Sequence, residues 1–334
     1  MSRQYHYRWQ WRLRSSADAL WPLVADTNRF NMDVGLPALD PEADTGTLLN
    51  ARRHLSFSKL GVTVEWIEEP FEWVEPHSFG VVRQYSRGPI EEMRVRARLD
   101  PLDDGGTNLT YEVWATPRNV IGLLAIPFQI GMLSARSFSA VFRRYDDQAS
   151  AVSSTAGLSS RVGRIKFIPG GERRLEAAAA ELLSQGVPAQ IATAIADIVR
   201  RADDMTASQL RPYELADIWG LPRRSVLEAC LVATRLGLLE FEWHLLCPLC
   251  RGAKARTTSL AGIEPQVHCE TCNIDFEVNF DRAVEITFHP NPSIRNIVIG
   301  EFCIAGPRVT PHVVAQQLVA AGEKRQLRID LEEG

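Results

Sequence analysis

Large apolar and polar residues alternate from Tyr5 to Leu13 (YHYRWQWRL), the period-two pattern of a strand with one buried face. Ser15 or Ser16 then offers an N-cap for a helix over Ala17 to Val24, which carries Leu20, Trp21 and Leu23. From about Leu48 to Thr116 the chain reads as successive antiparallel strands. The clearest runs from Met93 to Leu99, where Met93, Val95, Ala97 and Leu99 alternate with Arg94, Arg96 and Arg98. Its expected partner, Leu109 to Ala115, puts Leu109, Tyr111 and Val113 on one face, and Asp103-Asp104-Gly105-Gly106 supplies the turn between them. A long helical stretch from about Asn119 to Gln148 closes this unit, and Pro127 within it predicts a kink or a break.

Ala149 to Ser160 (ASAVSSTAGLSS) is uncharged and built mostly of small residues, the composition of a linker. Beyond it, Glu172 to Ser184 reads as a helix stopped by Gly186, and Pro188 can start a second one ending near Arg201. Pro212 opens a short helix ending near Gly220. Pro222 opens another, with Val226, Leu227, Cys230 and Leu231 on one face, ended by Gly237. With Leu238 to Leu245 as a following strand, this is the order of a winged helix-turn-helix. Strands are expected around Phe276 to Phe288 and Asn296 to Ile304, with a strand-like run over Gln326 to Leu331.

The chain has 334 residues, 45% hydrophobic and 23% charged, a mixture that supports buried cores in two or three domains. A net charge of −4 argues against a protein built as a whole to coat nucleic acid or an anionic membrane. The first residues, MSRQYHYRWQWRLR, lack the apolar core of a signal peptide. The longest apolar run, Val120 to Leu133, contains Pro127, Gln129 and two glycines and reads as too short to span a bilayer. Cytoplasm is the expected location, with no transmembrane segment.

Four of the six cysteines form two C-x-x-C pairs, Cys247/Cys250 (CPLC) and Cys269/Cys272 (CETC). Two thiolates three positions apart on a tight turn fill half of a tetrahedral coordination sphere, and a second such turn completes it. The spacing predicts a structural Zn2+ in a zinc ribbon. With sulfur at all four positions, no site is left for a catalytic water. His244 and His268 flank the knuckles and are expected outside the ligand set. Cys230 and Cys303 sit in apolar surroundings and read as ordinary core residues.

Catalytic sets are harder to find. Paired carboxylates, Ser/His/Asp arrangements, phosphate-binding glycine loops and H-E-x-x-H are not recognisable in this sequence. The expectation is therefore no enzyme. Arg223 and Arg224 stand where a DNA-reading helix would meet base edges, which leaves a zinc-containing winged-helix transcription regulator as the alternative. Charge opposes it, because acidic residues outnumber basic ones by one between Arg200 and Leu246. In the front unit, Met93, Val95, Tyr111, Val113, Phe128 and Met132 are the candidates to line a site for a small hydrophobic ligand. A cavity enzyme there would need a polar pair inside an apolar interior.

The order of strand, short helices, antiparallel strands and one long last helix, together with ADALWPLVADTNRFN, resembles the START-like superfamily of polyketide cyclases, lipid carriers and pathogenesis-related proteins. That resemblance implies a helix-grip fold around a cavity. From about Pro169 the chain resembles a domain found ahead of the catalytic domain in bacterial adenylate/guanylate cyclases. The likeness is carried by GLLEFEWHLLCPLCRG, HCETCNIDFEVNFDRAVEITFHPNPSIR and FCIAGPRVTPHVVAQQLVAAGE. It implies a regulatory module whose partner is another protein or a linked cyclase domain, the chain being either the front of a longer cyclase or a stand-alone relative. The cyclase's own catalytic aspartates have no counterpart here. The expected class is α+β: a START-like helix-grip domain (1–150), a helical and winged-helix segment (161–246), a four-cysteine zinc ribbon (247–282) and a β-rich tail (283–334).

Overall fold

A computed structural model describes residues 3–40, 52–59, 61–150, 165–269, 272, 274–297, 300–303, 305–310 and 312–329. The linker expected at 149–160 falls largely outside these residues.

The front unit is built on strands β1 (Tyr5–Leu13), β2 (Arg53–Lys59), β3 (Val62–Glu68), β4 (Glu72–Val74), β5 (Ser78–Arg87), β6 (Ile90–Pro101) and β7 (Thr107–Pro117). They form an antiparallel sheet in the order β1-β7-β6-β5-β3-β2, with β4 on β5. The predicted alternation in β6 is observed: Val95, Ala97 and Leu99 are buried while Arg94, Arg96 and Arg98 face solvent. Helices α1 (Ala17–Val24) and α2 (Thr27–Asp33) follow β1, capped by Ser16 and Asp26.

The closing helix has three parts: α3 (Val120–Ile126), a π-helical segment (Pro127–Ser134) and α4 (Ala135–Ser150). α4 buries Phe138, Val141, Phe142 and Tyr145, one face at helical spacing, against the concave side of the sheet. Asp146 fixes its position by accepting the backbone N–H groups of Arg14 and Ser15 at 3.0 and 2.9 Å. A sheet gripping a last helix in this way is the helix-grip fold.

The back half starts with α5 (Gly171–Ser184), α6 (Ala189–Arg201), α7 (Asp204–Ala207), α8 (Pro212–Trp219) and α9 (Arg223–Arg235), which share one apolar core. Next come β8 (Leu239–Leu246), β9 (Ala253–Thr257), β10 (Gln266–Cys269) and β11 (Ile274–Glu277). One helical turn, α10 (Phe280–Ala283), capped by Asn279, then separates β11 from β12 (Val284–Pro290). The single strand expected over Phe276 to Phe288 is therefore two strands. β12, β8 and β9 make a three-stranded sheet, and β10 pairs with β11.

No strand forms at the described residues of 296–304 or 326–329. Instead the tail returns to the front domain. Asn28 accepts the N–H groups of Phe302 and Cys303 at 2.7 and 3.0 Å, while Asn31 donates to the Phe302 carbonyl. Cys303 completes the front domain's core. The two-residue strand β13 (Ala315–Gln316) extends the front sheet at β4, and Trp73 Nε1 donates to the Val313 carbonyl at 2.7 Å.

Candidate metal centre and the interior of the front domain

β8 delivers the chain to Cys247, where a knuckle closes: Arg251 donates its N–H to the Cys247 carbonyl and Cys247 donates to that of Gly252. β10 ends at Cys269 opposite Ile274 of β11, and the N–H of Cys272 donates to Cys269 Sγ at 3.3 Å. The Sγ atoms of Cys247, Cys250, Cys269 and Cys272 all lie within 4.8 Å of one another. Cys250 and Cys269 have sulfurs 3.8 Å apart, far beyond a disulfide bond. Four sulfurs each about 2.3 Å from a shared tetrahedral ion would sit about 3.8 Å apart. The donor set and its geometry fit a tetrahedral metal ion.

Burial raises the thiol pKa of Cys269, but the Cys272 N–H, the neighbouring thiols and the Lys254 charge outweigh it and bring it down to about 7. Cys250 and Cys272 move upward, chiefly through burial. The four sulfurs form one donor set. Neither flanking histidine joins it. His244 is buried between Gln209 and Thr287, at 3.0 and 3.1 Å, and burial lowers its pKa. His268 is bound to Asp275 at 2.9 Å.

Among the ligand-lining candidates, Val95, Tyr111 and Val113 are buried, and Met93 packs beside them. Rings occupy the space they face: Phe30 lies 5.5 Å from Tyr111 and 5.3 Å from Phe138, centroid to centroid. Phe128 and Met132 do not line this interior. They are 57% and 47% exposed on the outer side of the closing helix. The physical reason is that, after Pro127, the π-helical segment turns Ile130 and Gly131 toward the front domain, which leaves Phe128 and Met132 on the other side.

The sequence reading missed a polar pair further along the interior. Glu68 on β3 stands directly across from Arg83 on β5, and Arg83 Nε donates to Glu68 Oε2 at 2.7 Å. Glu68 is 2% exposed, and its Oε1 has no hydrogen-bond partner among the described residues; nor has the indole N–H of Trp66, two residues earlier on the same face. Burial pushes the Tyr85 hydroxyl and the Cys303 thiol each up to about 12, and both feel the Arg83 and Glu68 charges. Glu68 shares the parity of Trp66, a signal that it points inward.

At the back, Arg223 makes two hydrogen bonds to Asp217 and Arg224 binds Glu228 at 2.8 Å. The two arginines of the would-be reading helix are thus partnered by carboxylates.

The family of unknown function DUF5939 matches residues 175–301. A comparison with curated proteins finds no match. Among solved structures, the ZhuI aromatase/cyclase from Streptomyces sp. R1128 is 15% identical with a TM-score of 0.33, over 45% of this chain and 98% of that one. Ara h 8.0201 is 12% identical with a TM-score of 0.31, over 44% of this chain and 98% of that one. A conserved protein from Geobacillus kaustophilus is 15% identical with a TM-score of 0.34, over 43% and 97%. The helix-grip assignment itself rests on the strand order and the closing helix.

Proposed function

We propose that this chain is a non-catalytic sensor or regulatory module, in which a small hydrophobic ligand or a protein partner of the front domain alters the metal-stapled back half. The metal is zinc and its role is structural, since four sulfurs leave no coordination position for a reactant. One observation carries the coupling: Cys303, from the tail that follows the back half, sits inside the front domain's core beside the charges of Arg83 and Glu68. A ligand with one polar group would find its anchors at the unpartnered Glu68 Oε1 and Trp66 Nε1, since a buried polar atom without a partner gains from being satisfied. Occupancy there would shift the tail, and through it whatever output the chain governs. By its likeness to cyclase-associated domains, that output is of the nucleotide-cyclase type.

Native mass spectrometry of the purified full chain tests this reading. The expected result is one zinc per chain and a co-purifying or added small hydrophobe, lost when Glu68→Ala and Arg83→Ala are combined. Absence of any ligand or partner across a broad screen, with unchanged protection of the tail from protease, would overturn it. A second reading, catalysis in the interior, is favoured by the same buried pair. Chemical conversion of the recovered ligand by the wild-type chain would mark it.

A further inference from the structure

The outer side of the closing helix carries an apolar stripe that nothing among the described residues covers. Val120, Ile121, Leu124, Phe128, Met132 and Leu133 are all exposed, Val120 and Leu124 by more than 70%. Four of them, 120, 124, 128 and 132, recur every fourth residue, and the next position in that row is Arg136. Between Glu112 and Asp146 the chain holds arginines at 118, 136, 143 and 144 and not one acidic residue. Arg144 is paired with Asp33, and Arg118 donates to backbone carbonyls. Among the described residues, Arg118, Arg136 and Arg143 make no ion pair with a carboxylate.

We infer that this stripe is a docking surface for an anionic lipid bilayer, lying in the interface between headgroups and acyl chains. An apolar face bordered by arginines that make no ion pair matches such an interface on both counts. Val120–Ser150 is long and apolar enough to cross a membrane by length and composition. In this fold its small residues lie against the front domain instead, while most of the apolar window stays exposed. A Cβ on Gly122 would meet the Pro89 carbonyl oxygen at 2.1 Å and one on Gly131 would meet the Tyr7 ring at 2.8 Å, so the helix lies flush along the sheet. Its second half is core, with Phe138, Phe142 and Tyr145 buried. Only the outer stripe is left to enter lipid. A second copy of the chain is the competing occupant, and the sedimentation experiment below separates the two. Glu91 and Glu92 at the start of β6 adjoin the Pro117 end, which makes the end at Arg136 and Arg143 the more positive one.

The test is co-sedimentation of the full chain with vesicles of phosphatidylcholine alone and of phosphatidylcholine with phosphatidylglycerol. Binding is expected to the anionic vesicles and to weaken with salt. Leu124→Glu combined with Phe128→Glu should lower it at least about tenfold, and both positions are exposed, so near-ultraviolet circular dichroism should be unchanged. Arg136→Glu should lower binding to the anionic vesicles about tenfold and leave the neutral ones unaffected. No sedimentation with anionic vesicles, or equal sedimentation of the double variant, overturns the inference. So does a dimer that sediments without lipid and dissociates in the double variant, which would assign the stripe to contact between copies.

Discussion

The hydroxyl of Tyr5 donates to the backbone carbonyl of Leu123 at 3.2 Å. In an α-helix that carbonyl would receive the N–H four residues on, and the residue there is Pro127, which has none. The first strand thus satisfies the acceptor that the proline leaves free, at the place where α3 passes into its π-helical continuation. Tyr5→Phe should cost about 0.5–1 kcal/mol, the range for one hydrogen bond near the surface. In a Pro127→Ala background, where the helix has its own donor, the cost should shrink. Urea unfolding followed by the fluorescence of Trp9, Trp11 and Trp21 would report the difference as a double-mutant cycle.

Arg29 and Asp203 tie the front domain to the helical segment, with Nη1 3.1 Å from Oδ2 and both side chains largely buried. Burial raises the Asp203 pKa, but Arg29 and the Thr206 N–H outweigh it, so the carboxyl sits below its ordinary value. A group whose folded pKa is depressed contributes stability that is complete above the unfolded value and is lost as pH falls through the folded one. Asp203→Asn should therefore cost about 3 kcal/mol at neutral pH. The midpoint gap should begin to narrow only as pH falls below about 4, and should close once pH passes the lowered folded value, where the native carboxyl is protonated too. A midpoint gap that stays constant down to acid pH would show that the charge of Asp203 is not the source of its contribution.

Gly306 lies in the left-handed region, with φ of 137°, and a Cβ there would meet Thr27 Oγ1 at 2.4 Å. The Thr27 hydroxyl donates to the Ala305 carbonyl at 3.0 Å, so the same spot holds the tail down. Gly306→Val should cost about 2 kcal/mol and free the tail from the front domain. Limited proteolysis would show it: cleavage within residues 300–317 should quicken, while the helices of the back half stay protected.

What could be read from the sequence was whatever is written in local spacing. The alternation of β6, the capped short helices and the two cysteine pairs each declare themselves within a few residues. Glu68 and Arg83 escaped notice because they are 15 positions apart, and the register that opposes them is set by the pairing of β3 with β5 across the intervening β4. Phe128 and Met132 read as inward because an apolar run gives no polar face from which to judge direction; only the packing of Gly131 against Tyr7 reveals it. The tail has weak strand character of its own and takes its path from Asn28 and Asn31, more than 270 positions earlier.

Thiol accessibility gives a test of the metal centre that needs no mutation. All six cysteines are free of disulfides, and Cys230 and Cys303 are buried, with thiols pushed up to about 12 by burial. Reaction with a thiol reagent needs the thiolate and access to it, so these two should stay silent in folded protein. The other four are expected to be silent as well while they hold the ion, since a metal-bound sulfur is neither free nor exposed. A chelator at about pH 7.5 should then release four reactive thiols together with one equivalent of zinc, and denaturant should reveal all six. Cys272→Ser should abolish zinc binding and unfold the β10–β11 hairpin, because ion binding in small zinc modules is worth on the order of 10 kcal/mol of folding free energy. Four thiols reacting at once in the purified protein, with no metal by elemental analysis, would show that the back half folds without it. In that case the sulfur cluster would have to be explained as packing alone.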